Sequence, residues 1–115
     1  MTFERTRDLG LDLHVMESTG STNDELVTRA NAGVLAEFTT VVTLNQTAGR
    51  GRLGREWVSP PGKALAVSVL LHPTAPSATW GWIPLLAGAC MTRTVARLVP
   101  GASVSLKWPN DVLID

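Results

Sequence analysis

The 115-residue sequence predicts an α+β domain, a mixed β-sheet with helices packed on it. Three observations predict it. Short β-branched or apolar runs recur along the chain and read as strands. Two longer segments carry the 3.6-residue apolar period of helices. The punctuation between them alternates capping clusters with Pro/Gly turns.

The elements follow in order. Leu9, Leu11, Leu13 and Val15 alternate with polar residues, which predicts a strand ending near Met16. The cluster Ser18-Thr19-Gly20-Ser21-Thr22-Asn23-Asp24-Glu25 offers two capping boxes, Thr22 with Glu25 or Ser21 with Asp24. A helix should follow through Leu26, Val27 and Ala30 and stop at Asn31-Ala32-Gly33. Thr39 to Leu44 is β-branched and reads as a strand. Extended structure resumes at Trp57-Val58-Ser59, and Pro60-Pro61-Gly62 makes a turn. Ala64 to Leu71 is almost wholly apolar and predicts a central strand. From Ser77 to Val99 the pattern is helical, with Pro84 tolerated only in the first turn. Trp80 and Trp82 then read as core. Pro100-Gly101 ends the helix, Ser103 to Lys107 reads as a strand, Pro109-Asn110-Asp111 as a tight turn, and Val112 to Ile114 as a further strand.

Composition narrows the function. Ten basic and ten acidic residues leave no net charge, so no global field draws the chain to nucleic acid or a membrane surface. The longest apolar window, Trp80 to Cys90, is too short to span a bilayer. The single cysteine, Cys90, excludes an intrachain disulfide and reads as a small buried hydrophobe in a reducing, cytoplasmic setting. His14 and His72 are isolated, and no metal-ligand spacing is present. Each histidine reads as a surface or hydrogen-bonded residue.

Against that neutral background one segment stands out: Gly49-Arg50-Gly51-Arg52-Leu53-Gly54-Arg55-Glu56-Trp57, directly after a strand. Its glycines let the backbone approach a ligand closely. Its arginines offer planar forks that suit carboxylate and phosphate. A solvated turn would not need both, and RNA binding would come with interleaved aromatics and broader basic charge. A small anionic ligand is the better match. Two other segments are ambiguous alone. Ser21-Thr22-Asn23 is either a helix cap or a polar ligand wall. Lys107-Trp108-Pro109-Asn110-Asp111 is either a hairpin turn or a holder of a metal or amine.

Taken in order, Ser21-Thr22-Asn23, the run Gln46-Thr47-Ala48-Gly49 to Trp57, and Lys107 to Asp111 resemble the biotin protein ligases. The resemblance runs from about Leu13 to Asp115 and corresponds to the N-terminal half of the catalytic domain, a class II synthetase-like fold. It implies an ATP-dependent, Mg2+-assisted ligase that forms biotinyl-adenylate and transfers biotin to a lysine of the biotin carboxyl carrier domain of a carboxylase. By position it implies that Ser21, Thr22, Asn23, Gln46, Arg50, Gly51 and Arg52 bind biotin. Gly49, Arg50, Arg52, Trp57 and Asn110 fall to the nucleotide and adenylate, and Arg52, Lys107 and Asp111 to catalysis, with no metal bound by protein side chains. A homodimer of the full-length parent is open.

Two departures shape the expectation. Repressor members of that family carry an N-terminal helix-turn-helix domain, for which the twenty residues before Ser21 leave no room, so no DNA binding is expected. The family's catalytic lysine, its glycine-rich strand pair and its small C-terminal β-barrel would follow Asp115. The 115 residues therefore read as a partial catalytic domain. A non-catalytic fragment, and a lipoate-type acyl ligase of the same superfamily, are the alternative readings.

Overall fold

The computed structural model describes residues 3–115. The chain divides into two units, Met1–His72 and Pro73–Asp115.

The first unit is built on a three-stranded sheet of order β1-β2-β5, with β1 at Leu13–Met16, β2 at Thr40–Thr43 and β5 at Ala66–Val69. β1 and β2 are parallel, and the helix α2, Thr22–Ala32, connects them as a βαβ crossover. β5 runs antiparallel to β2, pairing Val42 with Val67 and Val41 with Ser68. All four residues of β2 are buried, and α2 lies against both β2 and β5. Leu26 of α2 joins Val41 and Val42 as the buried apolar core. The other buried side chains of this unit carry hydroxyls, and two of them are partnered locally: Thr39 with the Ala36 carbonyl at 2.8 Å, Thr40 with the Phe38 carbonyl at 2.8 Å. Such pairing removes the penalty of burying a polar group.

Three features differ from the sequence expectation. Glu4–Arg7 forms a short helix, α1, where no element is expected. The 66–69 strand is shorter than expected and sits at the sheet edge, so β2 and not β5 is central. Its alternate residues Val67 and Val69 remain about half exposed, which is what a one-sided strand does with a continuous apolar run. Between β2 and β5 the chain forms a two-residue hairpin, β3 at Gly49–Arg50 against β4 at Glu56–Trp57. Strands of that length leave no periodicity to read.

The second unit has a helix, α3, at Trp82–Leu98, preceded by a 3-10 turn at Ser77–Thr79. Pro84 is the third helical residue, as its missing N–H requires. An antiparallel hairpin follows, β6 at Val104–Lys107 and β7 at Asp111–Ile114. Asp111 thus lies in the strand, paired with Lys107, and only the cis Trp108–Pro109 peptide and Asn110 make the turn. Gly88 is the one buried residue of α3. A Cβ there would stand 2.8 Å from Asn110 Cα and 3.0 Å from the Leu106 side chain, so glycine is what lets the helix reach the hairpin. Contact through that one face leaves Trp80, Trp82 and Cys90 exposed, contrary to the core reading.

Gly88→Ala should therefore destabilise the α3–hairpin packing by about 1–3 kcal/mol, the usual cost of overpacking. A urea denaturation curve that matches the parent protein would contradict this.

Candidate ligand pocket and the family it belongs to

The parallel pairing of β1 and β2 continues beyond both strands. Thr19 N–H donates to the Asn45 carbonyl (3.1 Å), Thr47 N–H to the Thr19 carbonyl (2.9 Å), and Ala48 N–H to the Gly20 carbonyl (2.7 Å). This ladder carries the start of α2 and the segment after β2 side by side to the carboxyl ends of the parallel strands. That is where open α/β sheets hold ligands.

Ser21 is the N-cap of α2, and its hydroxyl accepts the Asp24 N–H at 3.4 Å. Of the two capping frames, the Ser21 one is used. Thr22, the first helical residue, is buried and joins three elements. Its N–H donates to Gln46 Oε1 at 2.9 Å, and its hydroxyl lies 2.8 Å from Ser68 Oγ on β5 and 3.3 Å from Gln46 Oε1. Ser68 Oγ also lies 2.5 Å from Asn23 Oδ1. Asn23 Oδ1 can only accept, so the single Ser68 proton goes to it, and the Thr22 hydroxyl is free to donate to Ser68 or Gln46. Both amide oxygens are thus engaged by the protein, and the NH2 groups of Asn23 and Gln46 are left as donors.

Gly49 is buried because Gln46 needs the space. A Cβ there would stand 2.6 Å from Gln46 Nε2 and 2.8 Å from the Trp57 carbonyl oxygen. Arg50, next along β3, reaches back to the first turn of α2. It makes a bidentate pair with Asp24, Nη1 to Oδ2 at 2.6 Å and Nη2 to Oδ1 at 2.5 Å. The Arg50 hydrogen bonds hold the Asp24 carboxyl below the ordinary aspartate range, partial desolvation opposing them and the arginine charge adding to them. The Asp24 hydrogen bonds and charge raise the Arg50 guanidinium in turn.

These residues enclose a cavity of about 520 Å³, within the range of small-molecule sites. Ser21, Thr22, Asn23, Gln46, Arg50, Gly51 and Trp57 all line it. Ser68 lines it as well, with the apolar residues Leu65, Ala66 and Val67 beside it. Ser68 went unforeseen; its one signal is a serine interrupting an apolar strand between Val67 and Val69. Arg52 lies outside this lining, in an exposed 3-10 turn at the loop tip. Gly49 lines a neighbouring cavity on the loop side, which Arg50, Gly51 and Trp57 share. Lys107, Asn110 and Asp111 belong to the hairpin of the second unit and are all exposed. Of the two histidines, His14 is bracketed by Asp12 (3.1 Å) and Arg29 (3.2 Å), and His72 is exposed. No group of three His, Cys, Asp or Glu is gathered to hold a metal among the described residues.

The model of the biotin/lipoate A/B protein ligase family matches residues 15–115. The chain belongs to that family. Among this family's members, the biotin–acetyl-CoA-carboxylase ligase of Mycobacterium tuberculosis is 42% identical over 104 residues, covering 88% of this chain and 39% of the relative. The bifunctional ligase/repressor BirA of Bacillus subtilis is 38% identical, covering 88% of this chain and 30% of the relative. The crystal structure of a biotin protein ligase from Leishmania major in complex with biotinyl-5-AMP superposes with a TM-score of 0.71 at 31% identity, over 90% of this chain and 47% of that one. A Helicobacter pylori biotin acetyl coenzyme A carboxylase synthetase, TM-score 0.64 at 23% identity, shares the fold. The chain thus spans less than half the length of these ligases. No helix among the described residues is long and apolar enough to cross a membrane.

The Arg50–Asp24 pair has a defined pH signature. A carboxyl whose folded value is depressed contributes stability above its ordinary pKa and loses it as pH falls through the lowered value. The pair should persist from neutral to mildly acidic pH and dissolve only below the usual aspartate range. Carboxyl 13C NMR should place the Asp24 midpoint below that of an ordinary aspartate in the parent and return it upward in Arg50→Met. Identical midpoints in both would contradict the pairing.

Proposed function

We propose that the protein containing this chain is a biotin protein ligase, and that the cavity bounded by α2, Gln46, β5 and β3 holds biotin. The observation that carries this reading is the polar wall: Thr22 and Ser68 occupy the amide oxygens of Gln46 and Asn23, two lining residues, and leave their NH2 groups as the donors available to a ligand. A urea carbonyl is an acceptor and matches such a wall. Ala66, Val67 and Leu65 suit the apolar bicycle and side chain, and Arg50 with Gly51 suits the carboxylate.

In the first step a carboxylate oxygen of biotin attacks the α-phosphorus of ATP. The bond from that phosphorus to the β-phosphate oxygen breaks, and pyrophosphate leaves with the electron pair. Two anions meet in this step; Arg50 supplies a placed positive charge with paired donors, and Arg52, on the exposed loop tip, adds positive charge where it accumulates. Mg2+ would serve as the counterion of the ATP phosphates. In the second step the amine of a lysine on a biotin carboxyl carrier domain attacks the acyl carbon, the bond to AMP breaks, and the amine loses a proton. Lys107, Asn110 and Asp111 belong to the nucleotide and acceptor side on this reading, in a cytoplasmic enzyme.

The full-length protein should catalyse biotin-dependent exchange of labelled pyrophosphate into ATP. Arg50→Met should lower kcat/KM for biotin by about 100-fold or more, as loss of one preorganised charged donor does. Gln46→Leu should raise KM for biotin more than it lowers kcat, because it removes a contact made equally in the ground state. Exchange driven by lipoate in preference to biotin would assign the pocket to the other acid of the family.

A further inference from the structure

Asp24 is not part of the pocket lining, yet it holds the guanidinium that is. It sits on the first turn of α2, outside the cavity, and spends both oxygens on the two terminal nitrogens of Arg50. That end-on, two-bond geometry is the one a carboxylate or phosphate ligand would itself adopt. The end-on face of the Arg50 fork is therefore occupied by an internal anion, and its charge is matched one for one. Both partners are more than half exposed, so the pair is not locked in by burial. A further consequence follows from the neighbours: Arg52 and Arg55 make no ion pair among the described residues, so Arg50 alone of the loop's three arginines is neutralised.

We infer that Asp24 is a surrogate anion, which orients Arg50 in the pocket wall and yields the end-on face of the fork to the oxyanion of an incoming ligand. The inference rests on the pocket reading above where biotin is the ligand, but not for oxyanions in general. Asp24 is a positioning residue: it touches Arg50 and not the substrate. Its effect is selective. A stray small anion must compete with a covalently tethered carboxylate for Arg50, whereas a ligand that also fills the apolar and amide-lined part of the cavity gains enough elsewhere to displace it.

The test compares parent and Asp24→Asn full-length protein by calorimetry at one ionic strength with three probes: biotin, the neutral analogue biotinamide, and inorganic pyrophosphate. Asparagine keeps the size of the side chain and removes its charge. Biotin and pyrophosphate should each bind about three- to fivefold tighter to Asp24→Asn, the range of an exposed ion pair, and biotinamide should be unchanged. Biotin and pyrophosphate bound equally or more weakly by Asp24→Asn would overturn the inference, leaving Asp24 idle or a simple support for Arg50. A parent protein that binds neither biotin nor biotinamide would refute the pocket assignment instead. Pyrophosphate then decides alone: tighter binding to Asp24→Asn upholds the surrogate anion, and equal binding overturns it.

Discussion

The bonds made by Thr22 are the constraint on which the rest of the site depends. One buried residue ties the start of α2 to the segment after β2 through Gln46, and to β5 through Ser68. Those are three of the walls of the cavity. A buried hydroxyl left without a partner costs more than a bond gains, so the wall is stable only when all of its members are present. The arrangement also fixes which polar atoms are spent inside the protein: the amide oxygens of Gln46 and Asn23 are taken, and their NH2 groups are the donors left over.

The backbone ladder explains why this node can form. β1 and β2 are parallel, so both leave the sheet at the same end, and pairing of Thr19 with the 45–47 segment prolongs their register past the strands. The βαβ crossover puts the helix N-terminus at that same end. Gln46 is twenty-four residues from Thr22 in sequence and one hydrogen bond away in space. The parallel connection, not any local preference, brings them together.

The sequence was most legible where one residue type has one cause. The Ser18–Glu25 cluster announces the start of α2, the β-branched 39–44 run announces β2, Pro84 announces the first turn of α3, and each stands where local physics puts it. Legibility failed where the outcome depends on partners. The Ala64–Leu71 run is as apolar as a central strand, but centrality is a property of sheet order, and β5 has a partner on one side only among the described strands. Trp80, Trp82 and Cys90 have a helical apolar pattern, yet the packed face of α3 is chosen by Gly88. Asp24 looks like a capping-box acid, but the charge it meets comes from Arg50, twenty-six residues on. Ser68 looks like an interruption and is a structural member of the wall. The candidate pocket residues were readable as a set only through the family resemblance, since composition and spacing alone left Ser21-Thr22-Asn23 as a cap.

The glycine-arginine loop joins a fixed base to a loosely tied tip, and the division falls at Gly51. Gly49 is buried under Gln46 and Trp57, and Arg50 is tied to α2. Beyond them the loop is closed mainly on itself, by Gly51 N–H to the Arg55 carbonyl at 2.7 Å and Arg55 N–H to the Arg52 carbonyl at 3.3 Å. Leu53 and Gly54 both take left-handed backbone angles, φ 58° and 71°, and Leu53 is almost fully exposed. A leucine held there costs roughly 1 kcal/mol relative to glycine. A segment with its hydrogen bonds internal and its apolar side chain in solvent has little to lose by moving, because few of its contacts belong to the core. The base must stay, since shifting it breaks the Gln46 packing that holds the amide wall. Electrostatics divides at the same point: Arg50 is paired and placed, whereas Arg52 and Arg55 carry unmatched charge on the part of the loop that the core does not hold.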